Sequence, residues 1–239
     1  RRAEAANGIS SYSDNPDIEL LLNDVLRSEE SDMVIAEVLH AMSEITDGAS
    51  GTDERFMQFS GSNYAMNIRI AAVEALSNYE GNERVISRLQ NIIRQESSDS
   101  LQTTALQSLS KIVDTERLAG ITSSFIAGNQ IPDHVPFLLY TLAENGAGEQ
   151  AVVLADKTLE WNTPYDVTGE IIRFLIETDE SSVNWLNRLP ELMSNPHPGV
   201  RLAAAEAILK LSAGSRSDFI DTILPNEFDE RVRRKLREM

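Results

Sequence analysis

The sequence predicts an all-α chain of 239 residues, built as a superhelix of about six two-helix repeats plus a terminal helix. Three observations carry that prediction. Apolar stripes at helical spacing begin at Met33, Ile68, Leu101, Val135, Val167, Val200 and Val232, at intervals of 35, 33, 34, 32, 33 and 32 residues. A fixed period in this range is the signature of stacked helical repeats. Between the stripes lie second amphipathic segments separated by short turn sequences, and no stretch shows apolar alternation bounded by hairpin turns.

Taken along the chain, residues 1–16 ("AEAANGISSYSDNP" after two Arg) read as a flexible linker, and 17–239 as the repeat array. The first helices of successive repeats are expected at "DIELLLNDVLR" (17–27), "NERVISRLQNIIRQ" (82–95), "TERLAGITSSFIA" (115–127), "EQAVVLADKTLEW" (149–161), "SSVNWLNRLPELM" (181–193) and "SDFIDTILP" (217–225). The second helices follow from the stripe starts, as in "NIRIAAVEALSNY" (67–79) and "DSLQTTALQSLSKI" (99–112). Turn and cap residues intervene at Ser97–Ser100, Pro132–Asp133, Asn162–Asp166 and Asn195–Gly199. There, Pro presets the turn and Asp or Ser accepts from the open amides of the next helix. Residues 46–66, "TDGASGTDERFMQFSGSNYAM", stand where a regular first helix belongs but are broken by Gly and Ser, and are expected as an irregular insertion.

Composition narrows the function classes. Lys plus Arg number 21 against 38 for Asp plus Glu, a formal charge of −17. The acid is spread out: residues 1–60 carry net −9 and residues 141–194 net −7. A nucleic-acid binder draws affinity from phosphate neutralisation by Lys and Arg, so this balance argues against one, and it opposes docking on an anionic membrane. The one basic stretch, "DERVRRKLREM" (229–239), suits the negative end of a helix dipole. No apolar run approaches the ~20 residues of a membrane span, so direct membrane insertion is not expected. Absence of Cys removes disulfides, thiolate metal sites and a Cys nucleophile, and fits a soluble protein of the cytoplasm or the bacterial periplasm equally. The opening "RRAEAANGIS", with neither an initiator Met nor an apolar signal core, reads as a piece of a longer protein.

The second-helix starts "VRLAAAEAIL" (200–209) and "IRIAAVEALS" (68–77) combine an apolar residue, an Arg and an Ala-rich stripe. Asn63, Asn162 and Asn195 each lie five residues before such a start, at a capping position. In these features the chain resembles HEAT repeats, most closely the short bacterial kind related to phycobilin-lyase repeats. The resemblance spans roughly 17–239, although the repeats at 135 and 167 lack the Ala pair and the Arg. It implies a right-handed α-α solenoid whose small Ala residues let inner helices approach closely, with a curved surface lined by the second helices.

On that surface the residues expected to point away from the core are Arg69, Glu74, Gln102, Gln107 and Lys111, followed by Tyr140, Arg173, Arg201, Glu206 and Lys210. Mostly polar, they form either a solvated face or a groove for a protein or peptide. Within the insertion, Phe56, Met57, Phe59 and Tyr64 form either a local packing plug or a set of loop contacts.

Catalytic signatures are weak. His40, His134 and His197 sit in different repeats, and Glu37 with His40 makes only one Glu-x-x-His where a di-iron bundle needs two. "SLSK" (108–111) matches Ser-x-x-Lys formally but lacks its companion motifs, and "NGAGEQ" (145–150) has neither a preceding strand nor the Lys of a phosphate loop. The expectation is therefore a non-catalytic scaffold without cofactor or metal that binds a protein partner, favouring one with a basic patch. The alternatives are an accessory domain of a larger enzyme or membrane-anchored regulator, and a cofactor lyase of the HEAT-like type.

Overall fold

The structure, a computed structural model, describes residues 2–9, 16–46, 51–128, 132–159, 165–178, 188–208, 217 and 220–238. Among them all regular structure is helical, with no strand. The chain divides into two compact units, Arg1–Asp114 and Thr115–Met239.

The first unit holds α1 (Arg2–Ile9), α2 (Pro16–Ser28), α3 (Asp32–Thr46), α4 (Asp53–Phe59), α5 (Met66–Ala75), α6 (Glu83–Gln95) and α7 (Asp99–Ile112). Helices α3, α5 and α7 carry the first three stripes and pack consecutively, with α2 on α3, α4 on α5 and α6 on α7. The opening segment expected as a flexible linker is helical over Arg2–Ile9 and lies against α3. Helix α6 shows how sequence dictates the element. Asn82 caps it, its side chain accepting from the amides of Arg84 and Val85, and Glu83 sits in the positive first turn. Val85, Ile86, Leu89, Ile92 and Ile93 form one buried face, each worth about 1.5–3 kcal/mol of transfer free energy. Gly81 adopts φ +67°, a conformation costly for a side chain, and its amide donates to the Ile112 carbonyl that ends α7.

Of the segment 46–66, residues 47–50 lie outside the described residues, and 51–66 are more regular than expected. Asp53 and Glu54 supply acid to a first turn, and Asp53–Phe59 forms α4. Gly61, Ser62 and Asn63 make the turn into α5.

The second unit holds α8 (Thr115–Ala127), α9 (Val135–Glu144), α10 (Gly148–Leu159), α11 (Tyr165–Thr178), α12 (Leu189–Met193), α13 (Pro198–Ile208) and α14 (Glu230–Arg237). Here α9, α11, α13 and α14 pack in succession, and α8, α10 and α12 lie against their hairpin partners. All seven stripe starts fall within the first three residues of a helix. Six of them, from Ile68 to Val232, are at most 4% exposed; Met33 alone is 66% exposed.

Small residues set the α11–α13 approach. Ala203, Ala204, Ala205 and Ala207 are fully buried, and Gly169 of α11 faces Ala203. A Cβ at position 169 would meet Ala203 Cβ and the Gly199 carbonyl oxygen at 3.9 Å, ordinary van der Waals contact. Packing therefore accepts Ala there, while helix propensity prefers it. Gly169→Ala is expected to raise stability by about 0.5–1 kcal/mol in urea denaturation; a loss instead would mean that α11 and α13 need the missing methyl.

Candidate functional site

A concavity lies in the second unit, between the end of α12 and the turn that leads into α14. Helix α12 stops at Ser194, whose amide donates to the carbonyls of Pro190 and Glu191. Asn195 then turns the chain, its side-chain oxygen accepting from the His197 amide at 2.8 Å, and Pro198 opens α13. Thr222, Ile223 and Asn226 supply the opposite wall. The resulting groove, about 820 Å³, has apolar walls of Pro190, Met193, Pro196 and Ile223, and Phe228 stands at its edge 91% exposed. Ser194, Asn195 and Asn226 add neutral hydrogen-bonding groups.

At the floor Arg201 grips Glu227 with two parallel bonds, Nε to Oε2 at 2.8 Å and Nη2 to Oε1 at 2.9 Å. Its Nη1 also donates to the carbonyls of Asn195 (2.7 Å) and Pro196 (3.0 Å), tying the α12–α13 turn to the turn before α14. The Asp229 amide donates to Glu227 as well. The two side chains are 16% and 2% exposed. Hydrogen bonding to Arg201 outweighs burial and holds the Glu227 carboxyl below its ordinary pKa, and the same bond raises that of Arg201. Neither group exchanges a proton near neutrality, so the pair acts as a fixed clamp. The groove offers an apolar slot with neutral polar edges.

The first unit repeats the clamp. Arg69 occupies the position of Arg201, one residue after a stripe start, and pairs with Glu96, as Arg201 does with Glu227. Glu96 and Glu227 each stand five residues before the next start. Arg69 Nε also points to the Ser60 carbonyl at 3.4 Å. Gln102, again one residue after a start, donates to the carbonyls of Ile93 and Glu96 at 2.8 and 2.9 Å.

This geometry corrects several outward-pointing assignments. Arg69 is 6% exposed and committed to Glu96, and Arg201 and Gln102 are spent on structural bonds. Glu74, Gln107 and Lys111 are exposed, with Glu74 Oε2 3.7 Å from His40 Nδ1. In the second unit the half-buried Tyr140 donates to Glu177 at 2.7 Å and lies edge-on to Phe174; burial first, then the Glu177 carboxylate, raises its pKa. Arg173 bridges Glu170 and Glu206, the latter at 3.4 Å. Tyr140, Arg173 and Glu206 thus line consecutive second helices, while Lys210 lies outside the described residues.

The aromatic residues of 46–66 also pack inward. Phe56 is fully buried, 6.2 Å from the Tyr79 ring, and Phe59 is 9% exposed, 4.8 Å from the half-buried Tyr64 ring. Phe56 and Phe59 are packing residues rather than open loop contacts. Ser108 of the Ser-x-x-Lys match is 3% exposed and donates to the Val73 carbonyl. Among the described residues no three His, Asp or Glu side chains gather into a metal-binding group, and no helix is long and apolar enough to cross a membrane.

Reasoning from the sequence passed over Glu96, Glu227 and Phe228. The signal for both Glu residues was present: they share the capping register of Asn63 and Asn195. Phe228, alone in a turn, has no periodic signal. In comparisons with known proteins, no family profile matches the chain and no curated protein matches its sequence.

Proposed function

We propose that this chain is a non-catalytic interaction scaffold, a HEAT-like solenoid that binds a protein partner through the groove of its second unit. The observation that carries this reading is Phe228, a large aromatic side chain 91% exposed beside a groove walled by Pro190, Met193, Pro196 and Ile223. Exposed apolar surface of this kind, rimmed by polar groups, marks interaction sites, and aromatic anchors supply most of the affinity in such contacts. The Arg201–Glu227 clamp supports the reading by giving the groove a fixed floor, so little ordering entropy is lost on binding. Net charge −17 favours a partner with a basic patch and speeds its approach at low salt.

The test is quantitative affinity capture from source-cell lysate at physiological salt, with wild type and Phe228→Ala side by side. Loss of an aromatic anchor worth about 2 kcal/mol weakens binding about thirtyfold, so the main captured protein is expected to fall below a tenth of its wild-type amount. Because Phe228 is exposed, stability is expected to stay unchanged. Capture that survives the substitution rules the groove out.

A further inference from the structure

Charge is balanced differently at the two clamps. In the second unit Arg201 and Glu227 form a closed pair, one cation to one carboxylate. In the first unit a second guanidinium converges on the clamp through Ser60, which is fully buried just after α4. Its carbonyl accepts from Arg69 Nε at 3.4 Å, and its hydroxyl accepts from Arg88 Nε at 2.9 Å. That hydroxyl spends its own proton on the Met57 carbonyl at 2.7 Å, so its oxygen is left to accept. Arg88 belongs to α6 and stands eight residues before Glu96; the residue eight before Glu227 is Phe219, which carries no charge.

Two cations therefore share one carboxylate. Arg69 is committed to Glu96. Arg88 has used only its Nε: neither Nη1 nor Nη2 has a hydrogen-bond or ion-pair partner among the described residues, and neither is sealed from solvent. Burial, and then the Arg69 charge, lower the Arg88 pKa, and Glu96 offsets this only in part. A half-buried cation beside a like charge is costly to hold without an anion of its own. With Nε tied to Ser60 the guanidinium is held in one orientation. Its outer edge then presents two parallel N–H donors, the geometry that grips a planar carboxylate. The excess is one positive charge, which one negative charge closes. A doubly charged phosphate would set a further charge against Glu96 in a chain of net −17.

We propose that Arg88, held by Ser60 beside the Arg69–Glu96 clamp, is a binding site for a single carboxylate group. That group comes from a small free carboxylate or from an Asp or Glu side chain of a partner protein. Both sources offer the same planar anion, taken by the Nη edge in two parallel bonds. The site lies in the first unit and uses none of the groove residues.

The test titrates the full chain with sodium acetate, against sodium chloride at equal ionic strength and neutral pH. Proton–nitrogen NMR correlation spectra follow the Ser60 and Arg88 amides and the Arg88 Nε–H group. Acetate is expected to shift these signals saturably, with half-saturation on the order of 10 mM, while chloride shifts them less and without saturating. Arg88→Gln is expected to abolish the saturable shift at Ser60. Arg88→Lys keeps the charge without the fork and is expected to weaken binding at least about fivefold. Circular dichroism checks that both variants are folded, and the Lys variant decides the matter if the Gln variant is not. A Gly-Glu-Gly tripeptide with blocked ends separates the sources. Binding at least about tenfold tighter than acetate identifies a protein side chain, and weaker gains identify a small free carboxylate. Inorganic phosphate binding more tightly than acetate would overturn the carboxylate assignment. An acetate response no different from that to chloride, or one retained in full by either folded variant, would overturn the site itself.

Discussion

Phe56→Ala is expected to cost the first unit about 3–5 kcal/mol, the range for deleting a fully buried aromatic ring that its surroundings cannot refill. The ring is completely inaccessible, on the helix that replaces the broken first helix of its repeat, and meets Tyr79 at 6.2 Å. Tyr79 is itself 5% exposed, bonded through its hydroxyl to Thr52, and its pKa is raised chiefly by burial. Opening a cavity beside it lets water reach the phenol. Spectrophotometric titration of Tyr79 is therefore expected to move back toward the ordinary value near 10 in the variant. Urea denaturation reads the stability directly. A cost below about 1 kcal/mol would show that α4 is a loosely attached flap, and would return residues 46–66 to the role of an adaptable loop.

The helices were legible because they are written in apolar spacing. A stripe of Val, Ile, Leu and Ala states which face is buried without reference to distant residues, and each start fell at a helix start. First helices were equally plain where an amphipathic segment had a cap, as at Asn82 for α6. The 46–66 segment misled through its Gly and Ser content, although Asp53, Glu54 and the apolar Phe56 and Phe59 suffice for two turns of helix. The clamps were misread for another reason. A position one residue after a stripe start lies near the edge of the apolar face, and a long side chain from the first turn reaches back over the preceding turn. Arg69 and Arg201 do this, and find carboxylates 27 and 26 residues onward. Helical periodicity within one helix carries no sign of such a partner. Aligning the repeats on their turns rather than on their stripes would have set the Arg and Glu positions in parallel.

Arg201→Ala follows from that clamp and has a pH signature of its own. Removing the guanidinium leaves Glu227, 2% exposed, without its cation while the Asp229 amide still donates to it. Loss of one partner from a buried pair runs to several kcal/mol, and the remaining amide bond and the open groove above lower this to about 2–3 kcal/mol at neutral pH. In the wild type, Glu227 titrates below the ordinary carboxylate value of about 4.3 in the folded state. The clamp's contribution is thus present above that value and is lost as pH falls through the folded pKa. Without Arg201, burial prevails and the folded-state pKa rises, so the variant gains stability on acidification where the wild type loses it. The gap between the two is expected to narrow as pH drops from about 7 to about 4, measured as urea midpoints; a gap independent of pH would mean that Arg201 acts through packing alone. Arg69→Ala should be milder, because Glu96 is 24% exposed and Arg88 stands close enough to sense its charge. The unequal cost bears on binding as well as stability. Arg201 joins the two turns that wall the groove, so under the proposed scaffold function its loss is expected to weaken partner capture together with the fold. Under the same proposal Phe228→Ala is expected to weaken capture alone, so comparing the two variants separates the shape of the groove from its exposed aromatic side chain.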